Sequence, residues 1–136
     1  MASNNPSRRS NQIVGNMGLY AVCWELSKRG WNVMPTSRNA RGVDIVAFDQ
    51  AAEKKITVQV KSLSKGPVVP MGKDPHPIAD YLVVARGVDG KDPQFFVARR
   101  DQLENKIKCY GKKYWLQPAE YERFKDKWTM IGGGDS

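Results

Sequence analysis

The sequence predicts an α/β domain with a mixed central sheet flanked by helices, and three observations carry that reading. An apolar run at helical spacing (Leu19, Val22 or Cys23, Leu26) opens the chain and stops at Gly30. A period-two strand follows in ITVQVKS (56–62), where Ile56, Val58 and Val60 alternate with Thr57, Gln59 and Lys61. Two further apolar runs, YLVVA (81–85) and QFFVA (94–98), stand on either side of a VDGKDP turn and read as a hairpin.

In order along the chain, the first helix is expected over about 15–29. Met17, Tyr20 and Trp24 spread apolar surface around it, so its sheet covers one side and the rest is open to a second subunit. Glu25 and Arg29, four apart, pair on its surface. Trp31, Val33 and Met34 suggest a first strand ending at Pro35, and TSRNARG (36–42) a turn. A second strand is expected at 43–49, a loop at 50–55 and a third strand at 56–62. Between 63 and 78, Pro67, Pro70, Pro75, Pro77, Gly66 and Gly72 exclude a regular helix or central strand. That loop directly follows Lys61 and is expected to shape a substrate groove. A short helix is expected at 101–107. Pro118 starts another, to about 126, and Trp128 and Ile131 pack back on the body. The whole reads as one domain over 13–131, with disordered ends at 1–12, rich in Ser, Asn and Arg, and at 132–136.

A chain of 136 residues suits one core. Its net charge of +8 and pI near 9.6 favour a polyanionic partner. No run of about 18 apolar residues exists, so no membrane span is expected, and MASNNPSRRSNQ lacks the apolar stretch of a secretory signal. Cys23 and Cys109 lack metal-site spacing and argue against a disulfide framework, which fits a reducing, cytoplasmic setting. Walker, GxGxxG, GxSxG and zinc-ligand patterns are all missing, so no nucleotide cofactor is expected. The single histidine, His76, cannot supply a nucleophile–His triad easily. It reads as polar surface, with a role as base or phosphate donor as the alternative.

The chemistry-bearing residues lie in GVDIVAFD (42–49) and ITVQVKS. Gln59 and Lys61 share a strand face, roughly 7 Å apart. If the two strands pair as a hairpin, Asp44 comes beside them. Asp44 alone reads as a turn cap or a partner for a nearby arginine, and Lys61 alone as a lysine reaching for solvent. Together they read as a site for phosphodiester chemistry. Asp44 and Gln59 would hold Mg²⁺ or Mn²⁺, and Lys61 would stabilise an attacking hydroxide or the phosphorane charge. Arg38, Arg41, Ser62 and Lys65 would make a positive, nucleic-acid-binding rim, against the plainer reading of solvated loop charges. Asp49 and Asp80 are candidates for a further acid. The basic and aromatic run KIKCYGKKYW (106–115) either binds single strands or places Tyr110, Tyr114 and Trp115 in a core; the core reading is favoured.

These residues resemble the PD-(D/E)xK nuclease superfamily, in its small Holliday-junction-resolvase-like and Mrr-like branch. The resemblance runs over roughly 15–87 and begins at GNMGLYAVCWELSKRGWNV (15–33). Asp44 falls on the family's motif acid, and Gln59, Val60 and Lys61 on its (D/E)xK triplet. Two positions depart. Gln59 replaces the usual acid, as in some Mrr-like members, and Leu19 stands where relatives often carry a helix glutamate. The resemblance implies an αβββαβ core with catalytic Asp44, Gln59 and Lys61. It implies a Mg²⁺-dependent DNA endonuclease in repair, recombination or host defence, working as a homodimer. The alternative is a catalytically weak or inactive member that binds nucleic acid or serves as an assembly partner.

Overall fold

Residues 10–37 and 42–132 are described by a computed structural model of the chain. Helix α1 runs Asn11–Lys28, earlier than its apolar spacing predicts. The Ser10 side chain accepts a hydrogen bond from the Ile13 amide (3.2 Å) and caps the helix, so the polar residues before 15 form its first turn. Residues 11 and 12, assigned by sequence to a disordered tail, are therefore helical, while 1–9 and 133–136 lie outside the described residues. Val14, Gly18, Val22 and Leu26, each four apart, form the buried stripe of α1.

The strands are β1 (Asn32–Pro35), β2 (Ile45–Phe48), β3 (Lys55–Leu63), β4 (Val69–Gly72), β5 (Tyr81–Arg86), β6 (Gln94–Arg99), β7 (Lys108–Tyr110) and β8 (Lys113–Leu116). Five of them make a mixed sheet ordered β1-β2-β3-β5-β6, in which only β3 and β5 are parallel. The other three form a small antiparallel sheet, β4-β8-β7. The crossover from β3 to β5, which the resemblance gives to a helix, carries β4 instead. Its proline and glycine density forbids helix, and Pro70 is tolerated because β4 lies at a sheet edge.

Period-two alternation splits the interior into two cores. On one face, Tyr81, Val83 and Ala85 of β5 and Phe95 and Val97 of β6 meet α1 together with Ile45, Ala47, Ile56 and Val58. On the other, Leu82, Val84, Phe96 and Ala98 meet the small sheet and the C-terminal turns through Val69, Met71, Leu116, Tyr121 and Phe124. β5 and β6 are thus apolar on both sides, which is why YLVVA and QFFVA read as continuous runs. The two C-terminal helices are shorter than expected. A 3₁₀ turn at Arg100–Leu103 stands for the helix of 101–107, and α2 spans only Pro118–Tyr121, followed by a 3₁₀ turn at Glu122–Phe124. The chain turns back because Lys125 bridges to Phe96 on β6, and Asp126 takes a φ of 55°.

Two details position the candidate site. Gly18 lets α1 lie directly on β3: a Cβ there would come 1.8 Å from Ser62 Oγ and 2.8 Å from Ser62 Cβ. And β2 pairs with β3 only as far as Ile45 opposite Val58, so the C-terminal half of β3 has a ladder partner in β5 alone.

Candidate active site

Asp44 sits where β2 parts from β3. Its amide donates to the Val58 carbonyl (2.9 Å) and its carbonyl accepts from the Thr36 amide (2.9 Å). The next donor along β3, the Val60 amide, would be left bare by the parting strands. The Asp44 carboxylate takes it instead, with Val60 N donating to Oδ2 at 2.7 Å, the short distance of a charge-assisted bond. The acid is therefore fixed by the backbone of three residues, Thr36, Val58 and Val60, rather than by an arginine among the described residues.

Asp44 and Lys61 line one recess of about 310 Å³, with Gln12, Gly15, Asn16 and Leu19 of α1 and with Val60 and Ser62. Lys61 makes no hydrogen bond or ion pair with the described residues. Burial pulls its ammonium below the ordinary lysine value, and the charge of Asp44 pulls it partly back. A cation held near a carboxylate without being consumed by it is free to meet a further anion.

Gln59 lines the neighbouring recess, with Gly42, Met71, Lys73, Asp74, His76, Pro77 and Ile78. Its amide is uncommitted among the described residues. Gln59 and Asp44 thus open on adjoining hollows rather than one, joined across the short stretch from Gly42 to Asp44. Ser62 lines the Asp44 recess, but it faces α1 and its hydroxyl donates to the Gly15 carbonyl (3.4 Å). Lys65 is exposed beyond the end of β3 and lines neither hollow. Arg38 and Arg41 lie outside the described residues.

Of the other acids, Asp74 borders the Gln59 recess, and those weighed from the sequence are occupied elsewhere. Asp80 accepts from the Thr57 amide (2.9 Å) and hydroxyl (3.0 Å) at the far end of β3, Asp49 caps the β2–β3 loop through the Glu53 and Lys54 amides, and Glu25 pairs with Lys28 and Arg29. Leu19, at the position where the resembled family often has glutamate, faces the recess itself. Asp44 is then its sole carboxylate, and no cluster of three or more His, Cys, Asp or Glu occurs among the described residues. This donor set fits Mg²⁺ in a limited sense. That ion keeps most of its waters, binds through one or two carboxylates and takes the rest of its ligands from substrate phosphate, and a recess of this size holds several waters at roughly 30 Å³ each.

Sequence reasoning missed Lys73 and left His76 on the surface. Both border the Gln59 recess because β4 pairs with β8, more than forty residues later in the chain, and so pins the start of their loop beside β3. No local signal marks that.

No protein-family model and no curated protein sequence matches the chain. Solved structures do. A bacterial homing endonuclease, I-Ssp6803I, is similar at a TM-score of 0.65 and 20% identity, over 91% of this chain and 92% of that one. The Holliday junction resolvase Hjc of the archaeal hyperthermophile Archaeoglobus fulgidus is similar at 0.53 and 14%, over 76% and 91%. These likenesses show the fold: the chain has the restriction-endonuclease-like architecture, with its mixed central sheet. No helix among the described residues is long and apolar enough to cross a membrane.

Proposed function

We propose that the protein is a metal-dependent DNA endonuclease that hydrolyses phosphodiester bonds in repair, recombination or host defence. The observation that carries this reading is the pairing of Asp44 and Lys61 in one recess, at the point where β2 leaves β3. The similarity in fold to a homing endonuclease and a Holliday junction resolvase supports it, as does the net charge of +8, which suits a polyphosphate.

Asp44 would hold Mg²⁺ or Mn²⁺, with Gln59 completing the site only if its amide turns from the adjoining hollow; the ion when bound lowers the pKa of a water and neutralises phosphate charge. The chain's own groups do the rest. The Val60 amide holds Oδ2 of the Asp44 carboxylate, so Oδ1 would be the oxygen offered to a ligand. The Lys61 ammonium, already partly stripped of water, stabilises charge that builds on the phosphoryl oxygens or on the attacking hydroxide. Leu19 and Val60 wall the recess with apolar surface, which strengthens those charge interactions. Arg38, Arg41 and Lys65 contact flanking phosphates, and Ser62 seats α1 beside the recess. A homodimer would set one centre on each DNA strand. Exposed Ile13, Tyr20 and Trp24 on α1 offer apolar surface for that contact. Free Cys23 and Cys109 accord with a cytoplasmic location.

A second reading rests on Leu19 and Gln59: with one carboxylate in the recess, the protein would be a nuclease fold that binds nucleic acid, or serves in assembly, without cutting. Incubating wild type and Asp44→Asn, purified identically, with linear, branched and single-stranded DNA in Mg²⁺ or Mn²⁺ decides between them. Cleavage by wild type alone is the expected result, stronger with Mn²⁺. Equal cleavage by both, or none by either, leaves the binding role.

A further inference from the structure

The β7–β8 hairpin presents a surface that the candidate active site does not use. Tyr110 pairs with Lys113 across a two-residue turn, in which Gly111 takes a φ of 70°, the glycine-first pattern of tight hairpins. Tyr114 and Leu116 turn inward to the second core, and Ile107 anchors the hairpin's other end there. By alternation, Lys113 and Trp115 turn outward, and their register partners Tyr110 and Lys108 turn outward with them. One face of the hairpin therefore carries Lys108, Tyr110, Lys113 and Trp115 side by side. Tyr110 is 57% exposed, against the sequence expectation that it lies in a core; Trp115 is half-buried.

The charge on this face is uncompensated. Residues 106–117 contain no acid. Lys108, Lys112 and Lys113 are exposed and form no ion pair with the described residues; of the nearby lysines only Lys106 has a partner, Glu120, at 3.8 Å. Nor is the face remote from the candidate centre. β8 runs from its tip at Lys113 to Leu116 antiparallel to β4, placing Tyr114 opposite Gly72, next to the Lys73 that borders the Gln59 recess.

We propose that this face binds an unpaired nucleic-acid strand, with Tyr110 and Trp115 stacking on bases and Lys108, Lys112 and Lys113 meeting the phosphates. Duplex DNA hides the flat faces of its bases within its own stack, so an exposed tyrosine and a half-buried tryptophan alternating with lysines on a sheet face suit splayed bases better than a helix groove. The inference takes its kind of polymer from the nuclease reading and adds a substrate class: DNA with a single-stranded segment beside the cleavage point. The core-anchored hairpin holds the rings in place beforehand, so little ordering is lost on binding.

The test measures anisotropy of fluorescein-labelled oligo(dT), of a blunt duplex of equal length and of a flapped duplex. The proteins are wild type, Asp44→Asn, Tyr110→Ala, Tyr110→Phe and Lys108→Ala/Lys113→Ala. Tyr110→Ala is expected to weaken oligo(dT) and flap binding by about 5-fold to 150-fold, the worth of one base stack, while leaving the blunt duplex nearly unchanged. Tyr110→Phe should keep the affinity, and the double lysine variant should flatten the salt dependence. Wild-type oligo(dT) affinity in Tyr110→Ala, or equal losses on oligo(dT) and blunt duplex, overturns the proposal. Asp44→Asn binding separates it from the nuclease reading: if wild type cuts nothing yet Tyr110→Ala loses oligo(dT), the hairpin stands and the nuclease falls.

Discussion

The two halves of β3 are built on opposite rules. From Lys55 to Val58 the strand pairs with β2, joined by β5 only at Val58, and its inward residues Ile56 and Val58 lie deep in the first core. From Gln59 to Leu63 it has β5 alone, and the space that β2 vacates is occupied by one carboxylate, one lysine and the end of a helix. In the first half the Thr57 amide donates to the Asp80 carboxylate, just before β5 begins, and that acid is held away from the recess. In the second, a side chain stands in for the missing ladder acceptor. The same strand therefore contributes stability at one end and reactivity at the other, and changes at the two ends should have separable effects.

The largest expected effect is at the open end. Asp44→Asn keeps an oxygen that accepts the Val60 amide but removes the charge. It should lower DNA cleavage by at least about 100-fold, with thermal stability close to wild type and DNA binding intact or improved. A cleavage assay paired with a melting curve checks both. Asp44→Ala should in addition lose about 1–3 kcal/mol, since it leaves the Val60 donor without its acceptor. The end paired with β2 should behave in reverse. Ile45, fully buried opposite Val58, should cost about 2–5 kcal/mol as Ile45→Ala, read by denaturant unfolding. Gly18→Ala tests how tightly α1 is seated on the open end. The added methyl meets Ser62 and should cost about 1–3 kcal/mol through overpacking, with a larger loss of cleavage than of stability if the helix also roofs the recess.

The subtlest prediction concerns Lys61. Burial lowers its folded pKa, so the unfolded chain holds the proton more tightly than the native one. The lysine thus opposes folding at neutral pH, and this cost fades as pH rises through its folded value towards the ordinary 10.5. Lys61→Met should be more stable than wild type at pH 7, by a margin that shrinks in alkaline buffer, and should not cleave. A melting temperature for Lys61→Met at or below wild type would mean that the pull of Asp44 outweighs burial. Gln59→Glu sharpens the same comparison by adding a carboxylate: tighter Mn²⁺ binding by calorimetry is expected.

The paired regions were the legible ones. Alternation in ITVQVKS and the doubly apolar runs of β5 and β6 mark strands because burial on one or both faces leaves a periodic trace. Asp44 and Lys61 were legible as neighbours because consecutive strands bring them to one recess, whereas Gln59 opens on another. What lay hidden depended on distant pairing. Lys73 and His76 reach the Gln59 recess only through β4 meeting β8, and nothing in KIKCYGKKYW says which face of its hairpin turns to the core. Helix ends failed for a local reason: the Ser10 cap extends α1 through polar residues, and the bridge from Lys125 to Phe96 curtails α2.

The edges of the main sheet have a consequence of their own. β1 is four residues long and ends in Pro35, which has no amide hydrogen to offer a neighbour, while part of the outer edge of β6 is already bonded: Asp126 donates to the Phe95 carbonyl at 2.9 Å, beside the Lys125 bridge. The most aggregation-prone segment, YLVVAR, is shut between two strands. The main sheet therefore offers copies of this chain little exposed ladder along which to zip into a continuous sheet or a fibre. Association through the exposed side chains Ile13, Tyr20 and Trp24 instead would saturate at a closed pair if the two copies meet about a two-fold axis.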